Sequence, residues 1–202
     1  MSKFSLDVLR EYIFPFTFTD DPDVIRGAEF GEDVTLTKLG ADILALHIDP
    51  IVGAMQGIGH LAVHVVCNDI AASGIQPRWI LLVVILPGRE EPEQIKAIMQ
   101  DAQKAADEVG ASIIGSHTGY SSGISRPLVA VITMGNAGGR RILVSADANV
   151  SDHLLVLKGV GLEGTAILVS DFSERALVSC HIPSGQANGL IDLDFERIGL
   201  VQ

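Results

Sequence analysis

Residues 58–86 read IGHLAVHVVCNDIAASGIQPRWILLVVIL, and the reading of this stretch decides the fold class. Ile58, Leu61, Ala62, Val65, Val66 and Ile70 recur at the spacing of one helix face. Gly74 and then Pro77 stop that helix. Trp79 to Leu86 follows as an unbroken apolar run rich in β-branched residues, which predicts a strand buried on both faces. A helix that passes directly into a buried strand marks a mixed α/β chain. Asp69 sits inside the apolar helix, where a buried lone carboxylate is costly without a partner. A capping role is excluded mid-helix, so Asp69 is expected to be a ligand.

The same grammar extends outward. Upstream, Ser5 caps a helix carrying Leu6, Leu9, Tyr12 and Ile13 on one face, ending before Pro15. Thr19 to Asp23 reads as a solvated acidic loop. Val34–Thr37 and Ile43–Ile48 read as strands joined at Leu39-Gly40-Ala41. Downstream, Pro92 opens a helix whose Ile95, Ile98, Met99, Ala102, Ala106 and Val109 face inward until Gly110. Ser112–Ile114 and Leu128–Met134 read as strands separated by a glycine- and serine-rich loop. Asn136 to Gly139 reads as a hinge. It divides an N-terminal domain, residues 1–139, from residues 140–202, the start of a truncated second α/β domain and a tail. In that part Ile142–Ser145 and Leu154–Lys158 are expected strands, a short helix reaches about Leu177, and the tail from Pro183 is expected to be mobile.

Composition bounds the function. Of 202 residues, 48% are apolar and 19% charged, which suits a packed globular protein. No apolar run reaches bilayer length, and Asp7 falls where a signal peptide would place its apolar segment. Cys67 and Cys180 have neither metal-ligand spacing nor a disulfide framework, so a cytoplasmic location is expected. A net charge of −11 argues against a nucleic-acid surface. An acidic chain holds a nucleoside triphosphate only with a divalent cation between its carboxylates and the phosphates.

Four sites carry the chemistry: Gly31-Glu32-Asp33 before a strand, Asp49-Pro50 at a strand end, Asn68-Asp69 within the helix, and Gly115-Ser116-His117-Thr118-Gly119 after a strand. Carboxylates arriving from such positions suit Mg²⁺, which takes hard oxygen ligands. Each also has a plainer reading. Asp33 and Asp49 suit turn openers, and His117 suits a hydrogen-bonded loop histidine. His60 and His64, four apart, are expected at a surface or dimer edge.

The run from Ile58 through Asn68-Asp69-Ile70-Ala71-Ala72-Ser73-Gly74 to Pro77 resembles the signature of the aminoimidazole-ribonucleotide synthetase superfamily. Gly31-Glu32-Asp33, Asp49 and Gly115-Ser116-His117-Thr118 follow that superfamily's motif order, and the resemblance extends from about Gly27 to Phe172. It is greatest to the hydrogenase-maturation branch. The resemblance implies an α+β fold, a mostly antiparallel sheet backed by helices, pairing in a homodimer as a β-barrel. It also implies ATP and Mg as cofactors, with Asp33, Asp49 and Asp69 at the metal. Asn68, Gly115, His117 and Thr118 join them at the nucleotide. The implied reaction is phosphoryl transfer to an oxygen of a small amide, carbamoyl or phosphate substrate when a full second domain is present. His117 stands where the pattern usually has an acid, and Leu200-Val201-Gln202 lacks the carbamoyl dehydratase's terminal cysteine, so that particular reaction is not expected. The competing expectation is a dimeric structural or regulatory module that has kept the sheet and lost the chemistry.

Overall fold

Helix α1 (Leu6–Tyr12) starts where Ser5 accepts the Val8 N–H through its hydroxyl, and it stops at Ile13. A single turn, α2 (Phe14–Thr17), then takes Pro15 into its first turn, where a missing N–H costs nothing. The computed structural model describes residues 3–88, 92–168 and 171. Its sheet comprises β1 (Val24–Arg26), β2 (Thr35–Leu39), β3 (Asp42–Ile51), β4 (Trp79–Pro87), β5 (Ser112–Ser121) and β6 (Leu128–Asn136). The strand order is β1-β2-β3-β6-β4-β5. All pairs are antiparallel except β4–β5, which helix α4 (Pro92–Val109) connects as a crossover. The expected mostly antiparallel sheet backed by helices is therefore what the chain adopts.

Helix α3 (Ile58–Ala72) packs on β3 and β6, and α4 packs on α3. The core joins Ile58, Leu61, Val63 and Val66 of α3 to Ile80, Leu82, Val84 and Leu86 of β4 and to Val129 and Val131 of β6. The approach of the two helices depends on Gly59. A Cβ at that position would lie 2.2 Å from the Ile98 carbonyl oxygen, a backbone atom that cannot rotate away. Gly59→Ala is expected to cost about 1–3 kcal/mol through overpacking, read as a lower urea midpoint with an unchanged slope.

β4 departs from the expectation of burial on both faces. Ile80, Leu82, Val84 and Leu86 are buried, whereas Trp79, Leu81, Val83 and Ile85 alternate with them and are only half-buried. β6 does the same. Register aligns Ile48, Ile132 and Leu81 across three strands on this second face, and Ile48 is 60% exposed. Among the described residues, one side of the sheet is thus covered by helices, and the other is apolar and open.

Several local expectations are corrected. Val24–Arg26, for which the sequence carried no expectation, adds a short edge strand on β2 beside the acidic loop. Gly115 to Gly119 is not a loop but the middle of β5, held by parallel pairing with β4. Residues 142–145 form no strand. Leu143 instead donates its N–H to the Ser73 carbonyl, and Ile142 and Val144 pack beside Leu36, Ile70 and Ile75. Residues 154–158 also form no strand, because no strand among the described residues lies beside them to pair with. Leu154 and Leu155 are 94% and 82% exposed. Residues 162–168 are helical, with Leu162, Ala166 and Ile167 against the main core. Leu177 and the tail from Pro183 lie outside the described residues. No described helix is long and apolar enough to cross a membrane.

Candidate functional site

Strand periodicity puts His47 and Asp49 on one face of β3, the face turned toward α3. Ala45 before them and Ile51 after them on that face are buried, so its apolar lining is interrupted by this one polar pair. Asp69 occupies the last turn of α3, and Asp33 precedes β2, two residues after Gly31, whose φ of +84° suits glycine. The His47 imidazole ties these elements together. Its Nδ1 is 2.5 Å from the Asp33 carbonyl oxygen, and its Nε2 is 2.8 Å from Asp69 Oδ2. A carbonyl only accepts, so Nδ1 carries a proton. The Nε2 contact is close as an ion pair but is not aligned as a hydrogen bond.

Charge follows this geometry. Burial alone would lower the His47 pKa, but the Asp69 carboxylate and the Asp33 carbonyl oppose it, and the net direction is upward. The Asp49 carboxyl is also raised, first by burial, with His47 opposing and with the charges of Asp69 and Asp33 adding to the rise. The cluster gathers the carboxyls of Asp33, Asp49 and Asp69 within electrostatic reach of a single imidazole. In Asp69→Asn the His47 pKa should fall, because burial then acts without its largest counterweight. An NMR titration of the imidazole checks this, and an unmoved midpoint would disprove the pairing. The sign for stability follows. The His47 contribution is full below the ordinary histidine pKa and is lost as pH rises through the raised folded value.

Two cavities meet at this cluster. One, of about 260 Å³, is lined by Glu32, Asp33, Asp69, Ser73 and Val144 among others. The second, of about 480 Å³, lies toward the open face between Glu32, Asp33, Leu46, His47, Ile48 and Ile132. Glu32 anchors the wall by accepting the Ala146 N–H at 2.8 Å.

The structure therefore brings Asp33, Asp49 and Asp69 together, with Asn68 half-buried beside Asp69. It does not bring Gly115, His117 and Thr118 to them within one chain. β5 is separated from β3 by β4 and β6, a lateral distance of about 14 Å at the usual strand spacing. Gly115 and His117 pair with Leu81 and Val83 on the open face, and Thr118 pairs with Val84 on the helix side. His47 was absent from the residues the sequence singled out. Its signal was its position two residues before Asp49 on a strand. The histidines of α3 are also corrected: His60 and His64 are not at a surface but buried at 6% and 0% exposure, against Glu108 of α4. Burial holds the His64 imidazole below its ordinary pKa. Burial would raise the Glu108 carboxyl, but the two imidazoles hold it low.

The family model for AIR synthase related protein, N-terminal domain, matches residues 31–137. A selenide, water dikinase of Geobacter sp. (strain M21) is 26% identical over 166 residues, covering 79% of this chain and 48% of that protein. A putative hydrogenase expression/formation protein of Methanocaldococcus jannaschii is 25% identical over 149 residues, covering 71% of this chain and 44% of that protein. The chain thus spans about half the length of the curated relatives it matches. Among solved structures, AaThiL complexed with AMPPCP and TMP superposes with a TM-score of 0.61 at 18% identity, covering 81% of this chain and 56% of that one. A protein from Thermus thermophilus gives 0.64 at 18% identity, covering 92% and 64%. These two likenesses concern the fold.

Proposed function

Because the chain belongs to the AIR synthase related protein family through that family's N-terminal domain, we propose that it is an ATP-binding protein holding Mg²⁺ with Asp33, Asp49 and Asp69. The observation that carries this reading is the meeting of the Asp69 carboxylate and the Asp33 backbone carbonyl at one imidazole, with the Asp49 carboxyl close enough to feel the charges of His47, Asp69 and Asp33. The donor set of the three acids fits the ion. Burial first, and then the neighbouring charges of Asp69 and Asp33, raise the Asp49 carboxyl against the opposing His47, and a hard dication beside these oxygens would favour the charged form. When bound, Mg²⁺ supplies charge neutralisation for the nucleotide phosphates. The chain's own part is to position: β3 and α3 fix two acids on rigid elements, and Glu32 holds the cavity wall.

The reaction we propose for the whole protein is phosphoryl transfer to an oxygen of a small amide, carbamoyl or phosphate substrate, in the cytoplasm. Residues 1–139 would form the ATP-binding domain and residues 140–202 the opening of a second one. The assembly we propose is a homodimer in which the open apolar faces of two sheets meet. That pairing would cover the second cavity and carry Gly115 and His117 of each β5 into the interface.

A second reading, a non-catalytic dimeric module, is favoured by His117 standing in place of an acid and by the distance of β5 from the acids. Calorimetry with ATP, with and without Mg²⁺, separates the two readings. The first expects saturable, Mg²⁺-dependent binding. A parallel melting experiment expects about 2.7 kcal/mol of added stability at 100 times the dissociation constant. Wild-type protein that binds no nucleotide under these conditions leaves the module reading standing.

A further inference from the structure

We infer that His60, His64 and Glu108 form a binding site for one transition-metal dication of the zinc class, clamping α3 to α4. The three residues lie apart from the acid cluster and have no part in the nucleotide reading. His60 and His64 are one helical turn apart on α3, so their rings project from one face. Their centroids are 4.4 Å apart. Both Nε2 atoms lie 2.9 Å from the same atom, Glu108 Oε2. All the potential ligand atoms lie within 4.8 Å of one another.

Two imidazoles at this spacing and a carboxylate from a facing helix form a nitrogen and oxygen donor set suited to zinc. Mg²⁺ and Ca²⁺ select oxygen ligands instead, so the two proposed sites differ in metal as well as in place. Zinc needs each ligand at about 2.0–2.2 Å, which asks the donors to open slightly from hydrogen-bond separation. The rotatable stem of Glu108 absorbs that movement. Lys104 approaches the other carboxylate oxygen, Oε1, at 3.6 Å from the solvent side, leaving Oε2 directed at the rings. The Glu108 side chain is 23% exposed, against 7% and 0% for the histidines, so an ion enters past the glutamate into a site otherwise closed.

The clamp also bears on the acid cluster. Asp69 follows His64 by five residues on the same helix, about 7.5 Å along its axis. A metal fixing His60 and His64 to α4 therefore fixes the element that presents Asp69.

The test uses the full chain, stripped with a chelator and free of nucleotide and Mg²⁺. Zinc chloride is titrated by calorimetry, and Co²⁺ is added as a spectroscopic stand-in. The expected result is one saturable equivalent per chain, a raised melting temperature and a Co²⁺ ligand-field spectrum. Glu108→Gln keeps the shape of the side chain, and His64→Gln removes a ring. Each should weaken zinc by at least about a hundredfold, beyond what losing an outer-shell partner costs. Asp69→Asn should bind zinc as wild type does. The proposal is overturned if wild type shows no saturable zinc binding, or if Glu108→Gln binds as tightly, either of which leaves the triad a hydrogen-bonded network. Loss of zinc binding in Asp69→Asn would place the ion at the acid cluster and overturn it too.

Discussion

Asp69→Asn is expected to remove the Mg²⁺ dependence of nucleotide binding while leaving the fold intact. The side chain is partly exposed at 36%, and asparagine preserves its shape, so core packing is untouched. What changes is charge. Three carboxylates become two, and His47 loses its ion-pair partner. Metal and nucleotide that share a site couple reciprocally, typically by about 1–3 kcal/mol, or about 5–150-fold in affinity. In wild type, adding Mg²⁺ should tighten ATP by a factor in that range, and in the variant the factor should fall toward one. Asp23→Asn is the control. Asp23 contributes through its backbone, its carbonyl accepting from Lys38 N–H and the Thr37 hydroxyl, so the side-chain change should leave both affinities alone. Calorimetry with and without the metal reads the coupling directly. An equal Mg²⁺ enhancement in wild type and Asp69→Asn would locate the metal elsewhere.

The second large effect concerns assembly. Ile132→Lys should turn the proposed homodimer into a folded monomer. Ile132 points to the open face of β6, aligned with Ile48 and Leu81, while Val131 and Thr133 on either side point into the core. An unpaired ammonium buried between two sheets costs several kcal/mol, and each 1.4 kcal/mol is tenfold in the dissociation constant. The dimer constant should therefore rise by at least about a hundredfold. In the monomer the lysine is solvated and costs little, so circular dichroism should be unchanged. Sedimentation velocity at micromolar concentration decides. A monomeric wild type, or a variant that still dimerises, sinks the sheet-to-sheet arrangement.

How far the sequence could be read depended on how local the determinants were. α3, α4 and β6 were legible because their apolar period and their stop signals, Gly74 and Gly110, lie within or beside the elements themselves. β5 was legible only as far as Ile114. Gly-Ser-His-Thr-Gly has little strand propensity, and its pairing with β4 is a nonlocal fact. Residues 154–158 failed in the opposite direction, since Leu-Leu-Val-Leu has strand propensity but no strand beside it among the described residues. At the site, Asp69 was conspicuous because a charge inside an apolar helix demands a partner. The identity of that partner, His47, was not, because nothing in the chain between them announces that β3 lies against the last turn of α3. Glu108 escaped notice for a similar reason: it lies 44 residues from His64, and the packing of α4 on α3 brings them together.

The strand order has a consequence for biosynthesis. β6 is the last of the described strands to be made, yet it sits between β3 and β4. Until Asn136 has left the ribosome, the emerging polypeptide holds two half-sheets, each with a bare hydrogen-bonding edge where β6 will insert. β4 and β5 with their crossover helix can associate early, because their contacts span short sequence separations. β3 cannot complete its pairing until some eighty-five residues later in the chain, at the rate set by closing a long loop. The unfinished edges of β3 and β4 invite pairing with a neighbouring nascent chain. His47 and Asp49 lie on the edge that waits longest, so the acid cluster should be among the last parts of the molecule to become ordered during synthesis.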